Sequence, residues 1–164
     1  MKNKKGFTLV ELLAVIVILA LIMGVAIVGI GNVISSSKNS VMLENALNII
    51  DGVKKQFAIY GVEADGTYSF GKGILESGGE VSPLGGNFVY GTSSDGTAIA
   101  NGALIWKYTT APTSCTATKS YIKYDSTNGW SICLAAGSGN KYVDGTEAAI
   151  NSDLNNKTTN TIKG

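Results

Sequence analysis

The chain has no histidine, and its 13 basic residues are all lysine, so arginine is missing as well. Without histidine the commonest general base and metal ligand near neutral pH is gone. Without arginine the side chain best shaped for bidentate phosphate contacts is gone too. Nucleic acid is therefore not expected as a principal partner. No serine or cysteine has a histidine to activate it, so no enzyme is expected and no cofactor is called for. Proline is scarce: there are two in 164 residues, and none precedes Pro83, which leaves the N-terminal third free of the strongest helix breaker. Cysteine is as rare. Cys115 and Cys133 lack the C-x-x-C spacing of redox or zinc sites. In an exported domain such an even pair reads as a disulfide.

What is present is concentrated in the first 60 residues. Lys2, Lys4 and Lys5 precede Gly6, and Phe7-Thr8-Leu9-Val10-Glu11 leads into an uncharged run from Leu12 to Gly31. About 20 residues at 1.5 Å each make about 30 Å of helix, the thickness of a hydrocarbon core. The run is too long for the apolar region of a secretory signal, and no A-x-A cleavage site follows it. A membrane-spanning helix oriented by its lysines is the expectation. Glu11 is costly at the edge of such a run unless paired. It can also close a capping box, with Thr8 as N-cap and Glu11 three residues later.

From Leu43 the pattern narrows to one stripe. Leu43, Ala46, Ile50, Val53, Phe57 and Tyr60 recur at spacings of three and four, which predicts an amphipathic continuation of the helix ending near Gly61. Thr8 to Tyr60 would then be about 80 Å long. Residues 61–102 are rich in Gly, Ser and Asp. They read as a wrapping loop with short strands at Thr67-Tyr68-Ser69-Phe70 and Asn87-Phe88-Val89-Tyr90, broken by Gly78-Gly79 and Pro83-Leu84-Gly85-Gly86. Three antiparallel strands follow: Leu104–Tyr108, Tyr121–Tyr124 and Trp130–Leu134. Asn128-Gly129 marks the hairpin turn between the last two. Trp130, Ile132 and Leu134 should face the helix stripe, which leaves Cys133 on the other face to bind Cys115. Beyond Ala135, Lys141-Tyr142-Val143 suggests an edge strand and Asn151–Gly164 a frayed end. The fold class expected is α+β: a long N-terminal helix, membrane-spanning and then amphipathic, on a small antiparallel sheet. The expected divisions are a leader at 1–6, an assembly half of the helix at 7–34, an amphipathic half at 35–60, and a globular head at 61–164.

Lys5-Gly6-Phe7-Thr8-Leu9-Val10-Glu11 followed by the apolar run resembles the class III signal of type IV pilins and pseudopilins. The resemblance is specific through Glu11, general along the helix and absent from the globular half. It implies that a prepilin peptidase/methyltransferase cuts between Gly6 and Phe7 and N-methylates Phe7. The cut leaves 158 residues with 10 lysines and 12 acidic residues, a side-chain balance of −2 against +1 for the whole chain. The amine of Phe7 would meet Glu11, in the same helix or in a neighbour, and this pairing would set register in a homopolymer built through N-terminal helices.

The implied function is that of a structural subunit of an extracellular type IV pilus fibre serving adhesion, surface motility or DNA uptake. The implied path runs from a single-pass inner-membrane precursor, held in the bacterial membrane and passed to an inner-membrane assembly platform, to a fibre on the cell surface. A major pseudopilin of a type II secretion or competence system is the alternative within the family. Because such pseudopilins carry calcium, Asp144, Glu147 and Asp153 are candidate ligands, although they do not match an EF-hand. A membrane-anchored exported binding domain is the alternative outside the family. Asn156-Lys157-Thr158 has the form of a glycosylation sequon.

Overall fold

The computed structural model describes residues 8–61, 65–76, 88–137 and 139–164. The chain divides into two compact units, Met1–Ser37 and Lys38–Gly164. Helix α1 runs from Leu9 to Tyr60 and supplies most of the first unit and one layer of the second.

In the first unit the large apolar side chains among the described residues lie open on every side of the helix. Leu12, Leu13, Val15, Ile16, Val17, Ile18 and Leu19 are all exposed, and consecutive residues point around the full circumference of a helix. Among the described residues no helix is long and apolar enough to cross a membrane. This overturns the membrane-spanning half expected for 7–34, and with it the single-pass inner-membrane residence.

In the second unit α1 changes character. Met42, Leu43, Ala46, Ile49, Ile50, Val53 and Phe57 are buried, while Glu44, Asn48, Asp51 and Lys55 face water. The buried stripe meets a seven-stranded antiparallel sheet, not one of three strands, and its order is β2-β3-β1-β4-β5-β6-β7. These strands are Gly66–Phe70 (β1), Thr97–Ala98 (β2), Ile105–Lys107 (β3), Tyr121–Asp125 (β4), Gly129–Ala135 (β5), Tyr142–Thr146 (β6) and Ile162–Lys163 (β7). Tyr68, Phe70, Ile105, Ile122, Ile132, Leu134 and Val143 close the core against the helix, and Ile150 joins them from helix α3, Glu147–Asn156. Phe57 sits edge-on to Tyr68 at 5.0 Å and to Trp130 at 5.3 Å between ring centres, an arrangement that adds to simple burial.

The early strand β1 is central rather than part of a wrapping loop. It pairs with β3 through Tyr68↔Lys107 and Phe70↔Ile105, and with β4 through Gly66↔Tyr124 and Tyr68↔Ile122. The phase of β3 places Ile105 in the core, because that residue lies opposite Phe70. Trp106 lies opposite Ser69 on the other face. A one-turn helix α2, Gly73–Glu76, crosses α1 where Gly52 leaves room: a Cβ there would come within 2.8 Å of Ile74 Cγ2. Of the expected strand at 87–90, a single bridge between Phe88 and Ala136 is present. Asn87, Gly78-Gly79 and Pro83–Gly86 lie outside the described residues.

Candidate functional site

Gly6 and Phe7 lie outside the described residues, so the N-terminal site begins at Thr8. The Thr8 backbone N–H donates to Glu11 Oε2 at 2.8 Å, and its hydroxyl donates to the same oxygen at 2.9 Å. The Glu11 N–H returns a bond to Thr8 Oγ1 at 3.3 Å. This is a reciprocal capping box that satisfies two donors of the first turn. It opens a helix that offers nothing but apolar contacts for the next several turns. Glu11 itself is exposed, so its second oxygen is open to a cation.

The head holds the other candidates apart. Cys115 and Cys133 form a disulfide with a Cα–Cα distance of 5.5 Å. It ties the irregular crossover between β3 and β4 to β5. Asp144 is exposed on β6, directly across from Cys133. Glu147 opens α3 and pairs with Lys54 Nζ at 2.5 Å, joining α3 to α1. Asp153, near the end of α3, is 2% exposed. The three calcium candidates are thus committed to different places, and among the described residues no group of three or more His, Cys, Asp or Glu side chains could hold a metal.

Asp153 does something else. Its Oδ1 accepts from Thr158 Oγ1 at 2.5 Å and Asn160 Nδ2 at 3.0 Å, and its Oδ2 from Thr161 N and Thr161 Oγ1, both at 2.7 Å. Burial pushes the carboxyl up, but these bonds outweigh it and hold it down at about 2. The staple folds 157–161 back so that β7 reaches β6 through Val143↔Ile162. The expected frayed end is therefore a capped helix, a turn and a strand. Thr146 caps α3 by accepting from Ala149 N at 3.3 Å, and Lys157 ends it in the left-handed region at φ 55°. The signal in the sequence is slight: Thr146 before Glu147, with Ile150 and Leu154 four apart.

At the hairpin tip, Asp125 Oδ1 accepts from Thr127 N at 2.9 Å and Asn128 N at 3.1 Å. These bonds hold its carboxyl below the usual range. Asp65 receives both Ser126 N at 2.9 Å and Ser126 Oγ at 3.0 Å, pinning the tip to the start of β1. On the sheet's outer face, burial pushes the Tyr108 phenol up to about 12, with Asp95 and Tyr121 adding to the shift.

The described residues thus define one surface without an internal partner, the apolar helix behind the capping box. The family described as "Prokaryotic N-terminal methylation motif" matches residues 1–27, the stretch that leads into and forms this surface. The N-terminal region therefore carries an N-methylation motif characteristic of class III signal peptides and type IV pilins. That links the chain to pilin and pseudopilin biogenesis, and implies processing by a prepilin peptidase/methyltransferase system. No curated protein and no solved structure matches the chain.

Proposed function

We propose that this chain is a structural subunit of a type IV pilus fibre, stacked with its copies through the first half of α1. The observation that carries the reading is the union of the methylation motif at 1–27 with a helix whose large apolar side chains are exposed on all sides, from Leu9 at 80% to Ile34 at 48%. Contiguous apolar surface of that extent marks a site of association, and like helices offer a matching partner. Cutting after Gly6 gives Phe7 a cationic amine about four residues before Glu11 in the sequence. Between subunits this pair sets register more than it adds stability, because desolvation offsets much of the attraction. The subunit is a building unit and not an enzyme. Adhesion, motility or DNA uptake would belong to the assembled fibre.

The capping box supplies the test. Glu11→Gln keeps an acceptor for the Thr8 N–H but removes the charge, whereas Glu11→Ala removes both. If Glu11 pairs with a neighbour's Phe7 amine, both variants give processed, folded subunit and little or no sheared fibre. Normal fibre yield from Glu11→Gln, with failure only of Glu11→Ala, would reduce Glu11 to a helix cap and overturn the pairing. A mature protein still carrying residues 1–6 on functional fibres would overturn the processing step.

A further inference from the structure

Loop hydroxyls in this molecule usually have a structural task. Ser126 binds Asp65, Thr146 caps α3, and Thr158 and Thr161 bind Asp153. The sequon Asn156-Lys157-Thr158 is closed for this reason. The Thr158 hydroxyl is spent on Asp153, Asn156 Nδ2 donates to Ser152 Oγ at 3.2 Å, and Lys157 sits at φ 55°.

The crossover between β3 and β4 differs. Its ends are anchored: Tyr108 N donates to Thr67 O at 2.9 Å, and the buried Ser120 accepts from Ala135 N at 2.9 Å. The disulfide tethers it at Cys115. Between these anchors runs Thr109-Thr110-Ala111-Pro112-Thr113-Ser114-Cys115-Thr116-Ala117-Thr118, without a charge and, apart from one isolated bridge at Thr116, without helix or strand. All of its serines and threonines are exposed. Thr116 and Thr118 bond to each other at 3.0 Å. Thr109, Thr110, Thr113 and Ser114 make no side-chain hydrogen bond among the described residues.

We propose that Thr109, Thr110, Thr113 and Ser114 are acceptors for O-linked glycosylation. Hydroxyl-rich, proline-bearing, uncharged segments are the composition that carries such sugars. Here the backbone is held open and reachable, so a transferase need unfold nothing. In the reaction the side-chain Oγ forms a bond to the anomeric carbon of a sugar-phosphate donor while the bond from that carbon to the phosphate oxygen breaks. The phosphate leaves with the electron pair, and the hydroxyl proton passes to a base of the transferase. A neutral sugar fits this ground better than phosphate. Successive phosphates would repel one another, with Lys119 the one lysine adjoining the run. The inference stands whether or not the chain forms a fibre.

Lys107 and Lys119 bound the segment, so trypsin releases it as one peptide after reduction. Full-length protein purified from its native cells should give this peptide with one or more hexose-type mass increments. The increments should be lost in the Thr109→Ala/Thr110→Ala/Thr113→Ala/Ser114→Ala variant, whose thermal midpoint should match the parent because these side chains are exposed. An unmodified 108–119 peptide, increments that persist in the variant, or phosphate in place of sugar would each overturn the proposal.

Discussion

The two units solve opposite problems with one kind of side chain. In Lys38–Gly164 the α1 stripe is covered by the chain's own sheet, and Phe57 is 1% exposed. In Met1–Ser37 equally apolar residues such as Leu19, at 49% exposed, are left open along the helix. Burial of apolar area is the main favourable term in folding and in most associations. A unit that buries its own area is complete alone, and one that leaves it open stores the same free energy for contact with something else.

The sharpest way to break this contrast is to make like truncations on both sides of it. Phe57→Ala should cost about 4 kcal/mol in chemical denaturation of the head, whereas Leu19→Ala should leave head stability within about 0.5 kcal/mol. A large loss from Leu19→Ala would show that the first unit supports the second, and the contrast would fail.

Next in size is the disulfide. Removing a closure of 18 residues should cost about 3 kcal/mol by the chain-entropy estimate. Cys115→Ser and Cys133→Ser should cost similar amounts, since either opens the same loop. Free thiols found by non-reducing peptide mapping would refute the bond.

Asp153→Asn should cost about 2 kcal/mol, because a carboxylate accepting charge-assisted bonds becomes an amide with the wrong donors. It should also change acid stability. The folded carboxyl lies at about 2, below its ordinary 3.8. Its contribution is therefore fully present above about 4 and is lost as the pH falls from there through about 2. Urea melts from pH 5 to 2 should show that loss in the parent and a flatter dependence in the variant. Equal slopes would mean the staple carries no linkage.

The smallest effect is a gain. Lys157→Gly should add up to about 1 kcal/mol, since glycine takes the φ of 55° without a Cβ penalty. A loss would show that the lysine side chain matters more than its backbone.

What could be read from the sequence was local. The stripe from Leu43 to Phe57 carries its helical period in adjacent residues, the hairpin announces itself at Asn128-Gly129, where Gly129 takes φ 73°, and Thr8 and Glu11 stand at capping-box spacing. What could not be read depended on distant partners. Thr67-Tyr68-Ser69-Phe70 looks like a strand, but its central position is set by residues 105–107 and 121–125. The polar tail hid α3 because only Ile150 and Leu154 mark its inner face, and Asp153 looked like a loop carboxylate because its donors come from a later turn. Counting apolar residues from Leu12 to Gly31 predicts a membrane span, but among the described residues no helix is long and apolar enough to cross a membrane.

The central place of β1 also sets an order on synthesis. This strand leaves the ribosome early, yet both of its neighbours come later: β3 ends at Lys107, and β4 ends at Asp125. Until the second of these emerges, one edge of β1 has no strand to pair with, and the helix stripe above it lacks half its floor. Contacts so distant along the chain delay closure, and unpaired edges invite the wrong neighbour in the interval. A nascent head of this design is therefore most vulnerable during the span of translation between residues 70 and 125.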